Sequence, residues 1–210
     1  MNLIGKVDEY EAQKNKGELT PGLKKILHSI DWPINLNTPN IHIASFFGKH
    51  YFVKEKGFEY DAIDIQVPKR TEVFAPEDAK FVDARRYDEE FGELGYIQMW
   101  GLESRMLYTF GNIQYGTMPY DFKIAKPLHS QNYKRMVIKK GSPLGNVGLW
   151  PGKLDRRADI PADVEEVYGR SYDHLSIEME NCRSGLRAFP FHNDLQVRMV
   201  NPLQFLKELE

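Results

Sequence analysis

The chain has 210 residues, of which 41% are hydrophobic, 28% charged and 12% aromatic, and 28 basic against 30 acidic side chains leave a net charge of −2. Twelve Phe, 11 Tyr and 3 Trp exclude a disordered chain, while 16 Gly and 12 Pro favour strands and turns over a helical bundle or coiled coil. The balanced charge excludes a broad nucleic-acid footprint, which needs clustered basic side chains to displace phosphate counterions.

Cys182 is the single cysteine, so no intrachain disulfide or zinc-ribbon spacing can be written, and a buried, inert thiol is the expectation. Met1 to Lys16 holds no apolar run of signal-peptide length, and no stretch reaches the ~20 apolar residues of a membrane span. The sequence as written predicts a soluble cytoplasmic protein; a chain from which a signal had been removed would read the same way.

Residues 1–18 are polar and read as a loose arm. Thr20-Pro21 then offers an N-cap followed by proline, and Leu23, Ile26, Leu27 and Ile30 recur at helical spacing, predicting one short amphipathic helix that Asp31-Trp32-Pro33 ends. From Ile41 the texture changes to short apolar or alternating runs, Ile41 to Phe46 and Tyr51 to Val53, closed by Gly48 and Gly57. Strands are predicted near 61–67, 71–75, 79–86, 94–101, 105–110, 136–139, 172–179 and 196–200. Two stretches, 115–133 and 148–172, read as long loops that border whatever cleft exists, the second with a short helix near Ile160 to Val167. The division is an N-terminal arm and helix over 1–39 and a β domain over 40–210. The fold class is mostly β, a compact antiparallel sheet or sandwich core with long loops.

Six phrases fall in a recognisable order. Tyr60-Asp61-Ala62-Ile63-Asp64-Ile65 is followed by the continuous run Thr71-Glu72-Val73-Phe74-Ala75-Pro76-Glu77-Asp78-Ala79-Lys80-Phe81-Val82. Then come Tyr108-Thr109-Phe110-Gly111-Asn112, the run from Val137 to Gly145, His174-Leu175-Ser176-Ile177-Glu178, and the closing Asn201-Pro202-Leu203-Gln204-Phe205-Leu206. In this order they resemble the core of the lysostaphin-like (LytM-type) zinc endopeptidases, a family with a duplicated-hybrid-motif β fold whose loops wall a groove. In that family the first phrase runs His-x-Gly-Ile-Asp-Ile, the third Tyr-x-His-Leu and the fifth His-Leu-His-Phe-Glu.

The resemblance implies a site in which three side chains hold zinc, an open position polarises water, and two further histidines hydrogen-bond the water and the developing oxyanion. Carried over, the ligand positions fall on Tyr60, Asp64 and Ser176, and the catalytic histidines on Phe110 and His174. Asp64 is the one retained ligand and His174 the one retained catalytic histidine. A phenol and a serine hydroxyl are weak zinc donors beside imidazole, so no metal or other cofactor is expected. Asp61, His50, His192 and Cys182 are the residues whose types could rebuild a metal site.

Each position also has a plainer reading. Asp64 is equally read as a strand-end carboxylate accepting backbone hydrogen bonds, and His174 as a hydrogen-bonded structural histidine. Phe110 reads as core or groove lining, and Trp100, Tyr108, Tyr115, Tyr120 and Trp150 as core packing or groove walls.

The functional expectation is a non-catalytic, peptidase-like binding or regulatory module, a pseudoenzyme whose partner is a protein or a peptide of cell-wall type in the groove, without nucleic acid or membrane span. The alternative is a zinc metalloendopeptidase of peptidoglycan-hydrolase type with a remodelled site. A third class, a biotinyl, lipoyl or phosphotransferase carrier, shares hairpins of this kind but needs a modifiable lysine in a Met-Lys-Met context or paired phosphoryl-accepting histidines. Neither can be placed here.

Overall fold

The structure is a computed structural model that describes residues 29–45, 47, 61–124, 136–151, 173–182 and 197–207, with residues 197 and 198 and Cys182 described by their backbone only. It is mostly β. The strands are β1 (His42–Ser45), β2 (Ala62–Gln66), β3 (Glu72–Phe74), β4 (Ala79–Arg86), β5 (Leu94–Gly101), β6 (Leu107–Gln114), β7 (Val137–Ile138), β8 (Pro143–Asn146), β9 (His174–Cys182) and β10 (Val197–Val200). Eight of them form one antiparallel sheet in the order β1-β2-β9-β6-β5-β4-β7, with β10 also paired to β9, and β3 and β8 form a separate antiparallel pair.

Alternation along the central strands decides which face is which. On β2, Ile63 and Ile65 enter the apolar core, and on β9 Leu175, Ile177 and Met179 do the same. Asp64, His174, Ser176 and Glu178 therefore point to the opposite face, because successive side chains of a strand alternate. The core beneath is completed by Tyr108 and Phe110 of β6, by Ile97 and Met99 of β5, and by Val73 and Leu144 of the small sheet. Two chain segments flanking the sheet seal it together, one with Ile30, Trp32 and Ile34 and one with Leu203, Phe205 and Leu206. Ile30 bridges Leu206 in parallel, and Asp31 accepts ion pairs from both Lys140 and Lys207.

The buried end of the β5–β6 hairpin is held by a polar network. Glu77 accepts from the backbone N–H groups of Glu103 and Ser104 and from the Tyr108 hydroxyl at 2.5 Å. Burial first, and then the Glu77 carboxylate, pushes the Tyr108 phenol well above its ordinary range, so it stays a donor.

Several expectations change. The stretch after Tyr115 is not featureless loop, because Tyr120–Ile124 forms a short helix whose Phe122 stacks on Phe81 at 5.2 Å. The strand expected near 136–139 is β7, and Pro143–Asn146, where no strand was predicted, supplies β8. Tyr120 is 70% exposed and packs no core, whereas Trp100 and Tyr108 are buried. The predicted helix over 20–30, the run Tyr51 to Val53 and the helix near Ile160 to Val167 lie outside the described residues, but for Ser29 and Ile30. Among the described residues no helix is long and apolar enough to cross a membrane.

Candidate functional site

Three of the positions carried over from the resemblance meet on the face of the sheet opposite the core. Asp64 pairs with Ser176 across β2 and β9, and Gln66 pairs with His174 one step along. On the far side of β9, Ser176 faces Gly111 of β6. On the other flank of β2, His42 pairs with Gln66 and Ser45 with Asp64. Two rungs thus cross the sheet, His42–Gln66–His174 and Ser45–Asp64–Ser176–Gly111. The period-2 alternation in Ala62-Ile63-Asp64-Ile65-Gln66 already assigns Gln66 to the face of Asp64.

Phe110 does not join them. It opposes Ile177, is fully buried in the apolar core and lies against Tyr108 with ring centroids 5.8 Å apart. The side chain that reaches the site from β6 is Asn112, whose Nδ2 lies 2.7 Å from His174 Nε2. A β-bulge explains the switch. Ile97 pairs with Phe110 while Gly95 pairs with Ile113, so β6 carries one extra residue in that interval, and Asn112 has φ 62°. Asparagine tolerates that left-handed conformation better than most residues, and the extra residue re-aims the strand. The Gly111-Asn112 dipeptide inside an otherwise alternating strand was the sequence signal for the bulge.

Aromatic side chains close the site on one flank. The Trp150 ring lies 5.3 Å from His174 and 5.8 Å from Phe91, and Phe91 leads through Tyr87 to Tyr96. Tyr87 packs over Gly111 so tightly that a Cβ there would lie 2.7 Å from its hydroxyl, which is why a glycine stands opposite Ser176. Burial, offset in part by a hydrogen bond with the Asn112 backbone and reinforced by Glu178, Tyr96 and Asp64, pushes the Tyr87 phenol up to about 12. Tyr87 is therefore neutral at physiological pH.

The polar layer is sealed: Asp64 is 0% exposed, His174 4% and Asn112 6%, with His42, Ser45 and Gln66 equally buried. His174 Nε2 stands 3.7 Å from Asp64 Oδ1, too far for a hydrogen bond. Further along the face, Glu178 sits between Ala62 and Thr109. Burial first, then the like charges of Glu180, Asp61 and Asp64, pushes its carboxyl up to about 7.

Zinc, which the resemblance implies, does not fit the described donors. Among the described residues no three of His, Cys, Asp and Glu are placed to hold a metal ion. Asp64 offers one carboxylate and Ser176 a weakly donating hydroxyl, while the Nε2 of His174 is already held by an amide. Tyr60, His50, His192 and the side chain of Cys182 lie outside the described residues.

No family model matches the chain, and no curated protein matches it. Among solved structures it is similar to Helicobacter pylori Csd3, with 13% identity over 86% of this chain and 35% of that one and a TM-score of 0.45. A zinc-containing peptidase from Vibrio cholerae gives 14% identity over 86% of this chain and 40% of that one, with a TM-score of 0.44. Lysostaphin in solution gives 13% identity over 80% of this chain and 56% of that one, again with a TM-score of 0.44. The chain thus matches between 35% and 56% of the length of these three structures.

Proposed function

We propose that this chain is a lysostaphin-like peptidase-type domain whose zinc site is degenerate and which works as a binding or regulatory module, taking a protein or a peptide of cell-wall type against the groove face. What supports the reading is the meeting of sequence-distant motif positions in adjacent registers: Asp64 beside Ser176, with His174 next along the sheet. The chemistry at those positions is that of a polar hydrogen-bonding pocket. A serine hydroxyl stands where the family has a metal-binding imidazole, and the remaining histidine is engaged by Asn112.

Metal analysis of the purified chain after growth and dialysis with zinc tests this. The expected result is zinc well below one per chain and no cleavage of a peptidoglycan-type peptide. Stoichiometric zinc that disappears in Asp64→Ala would overturn the reading and establish a remodelled metalloendopeptidase site.

A further inference from the structure

We infer that Asp83 guards the outer edge of β4 against strand addition, and that a second copy of this chain pairs with that edge when the guard is removed. The strand β7 covers only the first part of β4. Ala79 pairs with Ile138 and Lys80 with Val137, and the Phe81 N–H donates to the Met136 carbonyl at 2.9 Å. Among the described residues nothing pairs with the outer edge from Val82 to Arg86, whereas the inner edge pairs with β5 as far as Arg86 and Gly95. A sheet edge left in this way presents backbone donors and acceptors to any strand that meets it.

The guard is built from a bulge and one carboxylate. Phe81 pairs with Met99 and Asp83 with Gln98, so Val82 is an extra residue that shifts the phase of the strand by one. The Phe81 N–H faces outward, and after the shift the next outward N–H is that of Ala84. Asp83 Oδ1 accepts it at 3.0 Å, in the place that a pairing strand's carbonyl would take. The other oxygen, Oδ2, accepts from Arg85 Nε at 2.7 Å and lies 3.4 Å from the Tyr96 hydroxyl, which holds the carboxylate over the edge, only 9% exposed. A second copy is the occupant because it carries the same edge. A two-fold axis through Ala84 sets the two Ala84 residues opposite one another, each N–H facing the other's carbonyl. The bulge keeps such a pair short, so the association is weak and depends on concentration. None of this depends on the state of the zinc site.

Sedimentation velocity of the intact chain over a concentration series tests the inference. Asp83→Ala should form a growing share of dimer as concentration rises, its weight-average mass approaching about twice that of the wild type run beside it. Adding Ala84→Pro, which removes the outward N–H and is tolerated on an edge strand, should return the mass to the wild-type value. Should Asp83→Ala fail to fold, amide hydrogen exchange in the wild type decides: the Ala84 N–H, held by Asp83, exchanges at least about tenfold more slowly than in the unfolded chain. A folded Asp83→Ala chain whose mass never exceeds that of the wild type, association that survives Ala84→Pro, or a wild-type Ala84 amide that exchanges at its unfolded-chain rate overturns the inference.

Discussion

Glu178 stands on the face of the sheet opposite the core, buried among like charges. Its carboxyl moves from an ordinary 4.5 to about 7, chiefly by burial and then by Glu180, Asp61 and Asp64. At about 1.4 kcal/mol for each pH decade, that displacement amounts to about 3 kcal/mol. The sign follows from proton binding. Between pH 4.5 and about 7 the folded chain holds the Glu178 proton and the unfolded chain has released it, so this group makes stability fall as pH rises through that window. Below 4.5 both states are protonated, and above about 7 both are ionised with the full penalty in place.

Glu178→Gln keeps the shape and removes the charge. Urea denaturation of both proteins from pH 4 to pH 8.5 should show near-equal stability at the acid end and a variant more stable by up to about 3 kcal/mol at the alkaline end. Equal stability at pH 8, or a wild-type advantage that grows with pH, would refute the placement of Glu178 among uncompensated like charges.

Other substitutions separate the two faces of β6. Phe110→His buries an imidazole against Tyr108 and Ile177 and should cost about 3 kcal/mol or more in urea midpoint measurements, whereas Asn112→His, at a left-handed position that histidine also adopts, should cost less than about 2 kcal/mol. Tyr108→Phe takes the hydroxyl donor from Glu77 Oε1 and should destabilise by about 1–3 kcal/mol, with the backbone bonds to Oε2 retained. Asp31→Asn tests the tie between the flanking segments. Burial alone would raise the Asp31 carboxyl, but Lys140 and Lys207 outweigh it and hold it below its ordinary value, so its contribution is present at neutral pH and lost on acidification. That pairing is half-exposed, and its loss should cost less than about 1 kcal/mol and fade at high salt.

The strand positions were largely legible because β2 and β9 alternate between apolar and polar residues and β5 ends at Gly101, signals that depend only on local geometry. β8 escaped because Pro143-Leu144-Gly145-Asn146 has turn composition; it is a strand only because Val73 and Glu72 pair with it. The extent of β6 escaped for a related reason. Its bulge at Gly111-Asn112 breaks the period, so reading straight through the motif sends the second histidine position to Phe110, on the core face, and passes over Asn112. Asp64, Ser176 and His174 were found from motif order, and their partners Gln66 and Ser45 follow once register is known. Tyr87 carried no motif, and its place over Gly111 depends on how the β4–β5 connection folds back, which is a long-range property. Trp150 was legible only as core packing or groove wall; its contact with His174 was not.

On the proposed reading, Asp64 and Ser176 mark a zinc site that lacks its histidines. Zinc titration of the double variant Tyr60→His with Ser176→His, beside the wild type, tests it most directly. The expected result is tight binding of about one zinc per chain by the variant, lost again when Asp64→Ala is added, and no tight site in the wild type. A double variant that binds no zinc, although folded as judged by circular dichroism and thermal melting, would contradict the assignment of these positions to one metal site.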